Sequence, residues 1–323
     1  QCDSYWKRLG ENRPDLLPGG LDEAFDSGNP RVGIVRKMYP GYGVQKAREF
    51  IWNLGPGADA ELARLEQAFD VLQAQLNAWA FSGGGAYQRY ARPGERNLNT
   101  VAHRARREAQ QRILSCWRQE TPQMLANDGT RIGLELDLSG LGLPSLPDLD
   151  VDFSHVGSLK LSNMGLSASP EGFLSRFRGV RWLDLSGNQL RELPPALGEM
   201  RGLTRLFLHN NRIRLSPETA RMLSERVSLR ALIIHDNDLR LSPDFSQITD
   251  MRSLSMARAG LETWPSGLAE QPLLDRIDLS GNRMTTIPAS VIAPPDERLA
   301  QTARVNNVTH ANDNPWTDAT LQQ

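Results

Sequence analysis

Apolar positions in the second half of the chain recur in one pattern. In "VRWLDLSGNQL" they fall at Val180, Leu183, Leu185 and Leu190, with Asn188 between the last two. The spacing L-x-x-L-x-L-x-x-N-x-L holds again for Leu203, Leu206, Leu208, Asn211 and Ile213. It holds for Leu229, Leu232, Ile234, Asn237 and Leu239, and for Leu274, Ile277, Leu279, Asn282 and Met284. Weaker copies run through Leu136, Leu138 and Leu143, through Val156, Leu159, Leu161 and Leu166, and through Met251, Leu254, Met256 and Leu261. These three put Leu141, Met164 and Ala259 where the others have asparagine. The fourth-position residues, 136, 159, 183, 206, 232, 254 and 277, are spaced by 23, 24, 23, 26, 22 and 23. Seven registers so close together mark a tandem repeat.

Each unit reads as one short strand with alternating faces, followed by a returning segment. No unit can bury its leucines alone, so neighbours must stack into one continuous core. The asparagine stands where the chain leaves the strand, and its amide both donates and accepts, so it can satisfy turned backbone that would otherwise be buried unpaired. Arms such as "RELPPALGEM" and "TTIPASVIAPP" place proline where no ladder hydrogen bond is needed. "SPETARMLSERV" predicts a short helix, with Ser216 as N-cap, Pro217 in first helical position and Glu218 in the first turn. That arm accounts for the step of 26.

Before the repeats the period changes to that of helices. Leu62, Leu65, Phe69, Leu72, Leu76 and Trp79 form one apolar stripe. After the glycine-rich "SGGGAYQRYARPG", a second stripe, Leu98, Val101, Ala105, Ala109, Ile113 and Trp117, predicts a helix from about Asn97 to Glu120. The two read as an antiparallel hairpin that covers the open edge of the first repeat. "PRVGIVRKMYP" and "VQKAREFIWNLG" predict one or two shorter helices.

Alternation sends the third, fifth and seventh positions of each unit out of the strand layer, and stacking turns them into columns. The third column reads Glu135, Ser158, Trp182, Arg205, Ala231, Ser253, Arg276. The fifth reads Asp137, Lys160, Asp184, Phe207, Ile233, Ser255, Asp278, and the seventh Ser139, Ser162, Ser186, His209, His235, Ala257, Ser280. Bulky residues gather in the middle units. Trp182, Arg205, Phe207, His209, Ile233 and His235 are therefore the candidate partner-binding residues of a concave face, against the plainer reading of ordinary exposed packing. Two histidines with Asp236 near them lack a third well-placed metal ligand, so a pH-dependent contact is the better use of the pair. No metal and no cofactor is expected.

Composition narrows the classes. Net charge is −1 and the isoelectric point is near 6.6, which argues against nucleic acid as the main partner. Eight arginines crowd the run that begins at Arg89 and ends at Arg118, against Glu95 and Glu108. They read as a solvated helix face or, alternatively, as a contact for an acidic partner or membrane surface. Cys2 and Cys116 cannot make a disulfide scaffold. No stretch is apolar enough to span a membrane. A start at Gln1, without methionine or signal-peptide pattern, reads as an excised piece. The "NVT" at Asn307 is too short a motif to carry weight.

With "LDLSGNQLRELP" and "LDLSGNRMTTIP", the repeats resemble those of bacterial leucine-rich repeat effectors. "REAQQRILSCWRQETP" before them and "NDNPWTDATLQQ" after them are similar to the entry and exit segments of the repeat domain in Pseudomonas-type proteins of the novel E3 ubiquitin ligase class. The resemblance implies an α/β solenoid: a leucine-rich repeat array of about seven to eight repeats with parallel concave strands, preceded by an N-terminal helical cap region. The expected division is 1–128 for the helical region, 129–316 for the repeats and 317–323 for the start of a truncated helical segment. The resemblance further implies a protein secreted or translocated into a host cell, with a host protein on the concave face. The ligase class uses a cysteine in a Cys-x-Asp motif after the repeats. Cys2 is followed by Asp3, one place too early, and Cys116 by Trp117 and Arg118, beside the apolar stripe. No catalytic site is thus expected within these residues. The parent is expected to be either such a ligase or a non-enzymatic adhesion or scaffold protein.

Overall fold

The computed structural model describes residues 29–81 and 98–317, except the side chains of 98–101. Cys2, the glycine-rich break, Arg89, Arg92, Arg96 and residues 318–323 lie outside the described residues. Backbone contacts divide the chain into two compact units, Gln1–Asn77 and Ala78–Gln323.

The described part of the first unit is helical. Helix α1 (Pro30–Met38) starts at Asn29, whose side chain accepts from the Arg31 N–H, with proline in the first turn. Helix α2 (Val44–Leu54) ends at Gly55, which adopts a positive φ of 73° to stop the helix. Helix α3 (Ala58–Phe81) follows and continues into the second unit. Val32, Val35, Ile51, Leu62, Phe69, Leu72 and Leu76 are buried, so most of the expected stripe is core, while Leu65 and Trp79 remain partly exposed.

The second unit holds helix α4 (Leu98–Trp117) and a nine-stranded sheet in chain order. Strand β1 (Gln123–Leu125) pairs antiparallel with β2 (Arg131–Asp137). From there all pairs are parallel: β3 (Val156–Lys160), β4 (Trp182–Asp184), β5 (Arg205–Phe207), β6 (Ala231–Ile233), β7 (Ser253–Ser255), β8 (Arg276–Asp278) and β9 (Thr309–His310). Parallel strands require a crossover, and the returning arms supply it. They include the short helices α5 (Glu171–Leu174), α6 (Pro217–Ser224), α7 (Ala289–Ile292) and α8 (Leu299–Asn307). Ser216 caps α6 as the sequence predicts, and Thr219 completes a reciprocal capping box.

Leucine and its substitutes at the fourth, sixth and eleventh repeat positions, from Leu136 to Met284, are each at most 1% exposed. That leaves the turns between them buried as well. Asn211 accepts from the Leu190 N–H at 3.0 Å and donates to the carbonyls of Leu185 and Leu208 at 3.0 Å each. Asn237 repeats this with the Ile213 N–H and the Leu208 and Ile234 carbonyls. Asn188 and Asn282 follow units that have Met164 and Ala259 in place of asparagine. Each takes two backbone donors from the unit before it: Met164 and Leu166, and Ala259 and Leu261. Asn314 closes the series on Met284, Leu279 and Ala311. The residue before the ladder position turns through left-handed backbone: Asn163, Asn210, Asp236, Arg258 and Asp313 have φ of 53°, 55°, 56°, 48° and 56°. Asparagine and aspartate tolerate that region.

Replacing Asn211 by leucine should therefore strand the Leu190 N–H and two carbonyls inside the core. Each such loss costs about 1–3 kcal/mol. The expected result is a clear fall in melting temperature, read by circular dichroism, while Arg212→Ala, next door and exposed, leaves it unchanged. Equal effects of the two substitutions would refute the ladder's role.

Candidate functional site

The strand register aligns the expected columns. Ser158 pairs with Trp182, Trp182 with Arg205 and Arg205 with Ala231; Asp184 pairs with Phe207 and Phe207 with Ile233. In β4, β5 and β6 the central Leu183, Leu206 and Leu232 are buried and the flanking residues half-exposed, as alternation demands. All six candidate residues, Trp182, Arg205, Phe207, His209, Ile233 and His235, are half-buried on this open face. Columns do not guarantee exposure, however. Ser158 and Ala257 are buried, and Ser158 donates to Glu135 Oε2 at 2.9 Å.

The side chains make two runs of contacts, one of Trp182 with Arg205 and one that starts at Phe207. The Arg205 guanidinium lies 4.2 Å from the Trp182 ring centre. The Phe207 ring meets His209 edge-on, centres 6.2 Å apart at 71°. His209 stacks on His235 at 4.8 Å and 23°. His235 Nδ1 is 2.5 Å from Asp236 Oδ2. Asp236 in turn accepts from Arg258 Nε at 2.8 Å and Nη2 at 3.0 Å, a bidentate pair between the turns of adjacent units.

This chain of contacts sets the charge states. Arg258 bonding, with His235 adding to it, holds the Asp236 carboxyl down at about 2. Burial lowers the His209 pKa, the repulsion of His235 adds to this, and the Nδ1 of His209 is buried without a partner. The imidazoles lie face to face, a geometry that does not converge on a metal. Among the described residues no group of three or more His, Cys, Asp or Glu could hold one.

Arg205, Phe207, Ile233 and His235 line one depression of about 460 Å³. Trp182 and His209 stand outside its lining and touch it through Arg205 and through Phe207 and His235. The lining adds Ala231, Ser253, Arg258, Arg276 and Asp278, none of them among the candidate residues. Arg276 and Asp278 stand in the third and fifth columns, so the sequence carried their signal. Arg258 sits at a turn, in no column, and nothing in the alternation marks it. A larger groove of about 860 Å³ runs along the turns and arms past Arg191, Arg212 and Met222, and none of the six candidates lines it.

Cys116 is fully buried, and burial pushes its thiol up to about 11, against the opposing effect of a hydrogen bond from Thr121. A thiol there is almost wholly protonated near neutral pH, the wrong state for a nucleophile. Among the described residues no helix is long and apolar enough to cross a membrane.

Two expectations follow. Leu206→Ala should lower stability by about 2–5 kcal/mol through lost burial and a cavity. Phe207→Ala should leave the melting temperature nearly unchanged, and a matching loss would show that Phe207 is core. The second concerns pH. The depressed His209 pKa means the unfolded chain takes this proton more readily than the native one. Its contribution to stability is therefore complete above about pH 6.5 and declines as pH falls below that value. His209→Gln should flatten the fall in melting temperature between pH 7 and 5, and an unchanged slope would refute the assignment.

Residues 154–213 match the family model described as leucine rich repeat. Human vasorin is 44% identical over 78 residues, which make up 24% of this chain and 12% of vasorin, so the match spans a small part of that relative. A leucine-rich repeat protein of Leptospira interrogans aligns at 22% identity with a TM-score of 0.45, over 56% of this chain and 49% of that one. A Shigella effector leucine-rich repeat domain aligns at 21% identity with a TM-score of 0.46, over 77% and 87%. Strands β3 to β5, Asn188 and Asn211 lie within the matched residues, and the strands up to β9 continue the same parallel ladder. The chain carries a leucine-rich repeat solenoid built on one sheet.

Proposed function

We propose that the open face around Phe207 is the recognition surface of a protein-binding module, which selects the substrate of a secreted bacterial effector of the novel E3 ubiquitin ligase class. One observation carries the recognition reading: Trp182, Phe207, His209 and His235 are aromatic and half-exposed, Arg205 stacks on Trp182, and all are fixed on paired strands or two residues past them. Aromatic residues and arginine are the side chains that anchor protein interfaces, and a rigid platform loses little entropy when covered. The ligase reading is supported by the entry and exit segments "REAQQRILSCWRQETP" and "NDNPWTDATLQQ", and puts catalysis in residues outside 1–323, with the host cytoplasm as the working compartment.

On this reading the array comprises eight units, β2 to β9, the last closed by Asn314. Helix α4 and β1 form its cap. Burial of Ile113, Cys116 and Trp117 supports the cap, as do the bonds from Arg112 to the Asp137 carbonyl at 3.0 Å and between His155 and the Cys116 carbonyl at 2.9 Å. The second reading is a non-enzymatic adhesion or scaffold protein, and the buried, protonated Cys116 agrees with both readings.

Two measurements test the proposal. A host protein captured by the intact chain should lose about 2 kcal/mol or more of binding to Phe207→Ala. The complete gene product, given ubiquitin, activating enzyme and conjugating enzyme, should form a thioester that survives Cys116→Ala. A thioester on residues 1–323 alone that disappears with Cys116→Ala would overturn the assignment, and no thioester on the complete product would leave the scaffold.

A further inference from the structure

We infer that the partner of the depression is an acidic protein segment, extended across the strands, with an apolar side chain between two carboxylates. This rests on the recognition reading above and deepens it. The depression is lined by three arginines against the single carboxylate of Asp278. Arg258 is already taken by Asp236. Asp278 accepts from the Ser280 N–H at 3.0 Å and hydroxyl at 2.7 Å and keeps its charge, so two guanidiniums stand against one carboxylate. Arg205 and Arg276 remain. Among the described residues neither guanidinium has a hydrogen bond or ion pair.

Arg205 is poised for an anion. Stacked 4.2 Å over Trp182, its plane is held while its N–H edge stays free, the arrangement in which guanidinium binds carboxylate bidentately. Arg276 is in the same column, reached through Ala231 and Ser253, whose small side chains leave the space between the two arginines open. Three strand spacings separate them, about 14 Å. An extended segment advances about 3.3 Å per residue, so carboxylates four residues apart match that span. In the neighbouring column Phe207 lies level with Arg205 and Ile233 one strand further toward Arg276, and together they offer an apolar floor to the residue after the first carboxylate. A polyanion such as nucleic acid would meet the same arginines but would leave that floor against charge.

The test is selection of random twelve-residue peptides on the intact chain, followed by fluorescence polarisation of the selected peptides against variants. The expected peptides carry an apolar residue flanked by two acidic ones. Arg205→Gln and Arg276→Gln should each weaken binding about tenfold, and added salt should weaken the wild-type complex more than either variant. Selected peptides without acidic enrichment, or binding lost with Phe207→Ala but indifferent to both arginine variants, would overturn this partner chemistry and leave the recognition face standing. Peptides that bind Phe207→Ala as well as wild type, or a selection that yields none, would count against the recognition face itself.

Discussion

Everything on the open face depends on how this chain satisfies buried backbone at the end of each strand. The strands are three residues long over most of the sheet, and the chain leaves them through a left-handed turn directly over a leucine core. Water cannot reach those peptide groups, and an unpaired buried N–H or C=O costs as much as a lost hydrogen bond. The asparagine amide fills the need because one end accepts and the other donates. In Asn211 both ends reach into the unit before it as well as its own turn. The ladder therefore does more than satisfy groups: it locks adjacent units in register.

Register is what turns a row of residues into a surface. A slip of one residue would exchange the buried and exposed faces of a strand. With the slip forbidden, Trp182 must lie beside Arg205 and Phe207 beside Ile233, and their rigidity derives from bonds on the far side of the strand. The same turns also place Asp236 and Arg258. Arg258 is a poor residue for left-handed backbone, yet its conformation brings the guanidinium across to Asp236. The absence of a side chain at Gly281 leaves room, since a Cβ there would stand 2.7 Å from Arg258 Cγ. Backbone strain and ion pair are thus two sides of one contact, and His235 is held at its end.

A repeat fold specifies a platform and leaves the partner to a few exposed side chains. Here those side chains occupy the middle units, where the arm changes from the 3₁₀ turn of Pro195–Glu199 to helix α6. Serine, alanine and acid dominate the columns on either side. Cys116 belongs to the scaffold rather than to any chemistry: its environment suppresses the thiolate that a transfer reaction would need.

The sequence by itself determined the core, the period, the strand register and the membership of the columns, because these follow from spacing along one strand and repetition of it. It also determined the cap of α6, since Ser216, Pro217 and Glu218 act within one turn. Other features required the folded chain. Strand β1 runs antiparallel outside the pattern, and helix α8 stretches the last crossover, which hid Asn314 from any search at a constant period. The burial of Ser158, the stacking of His209 on His235 and the Arg258–Asp236 pair arise where residues more than twenty positions apart meet. Alternation says which face a side chain leaves from, but only tertiary packing decides how far it leans and what it touches on arrival.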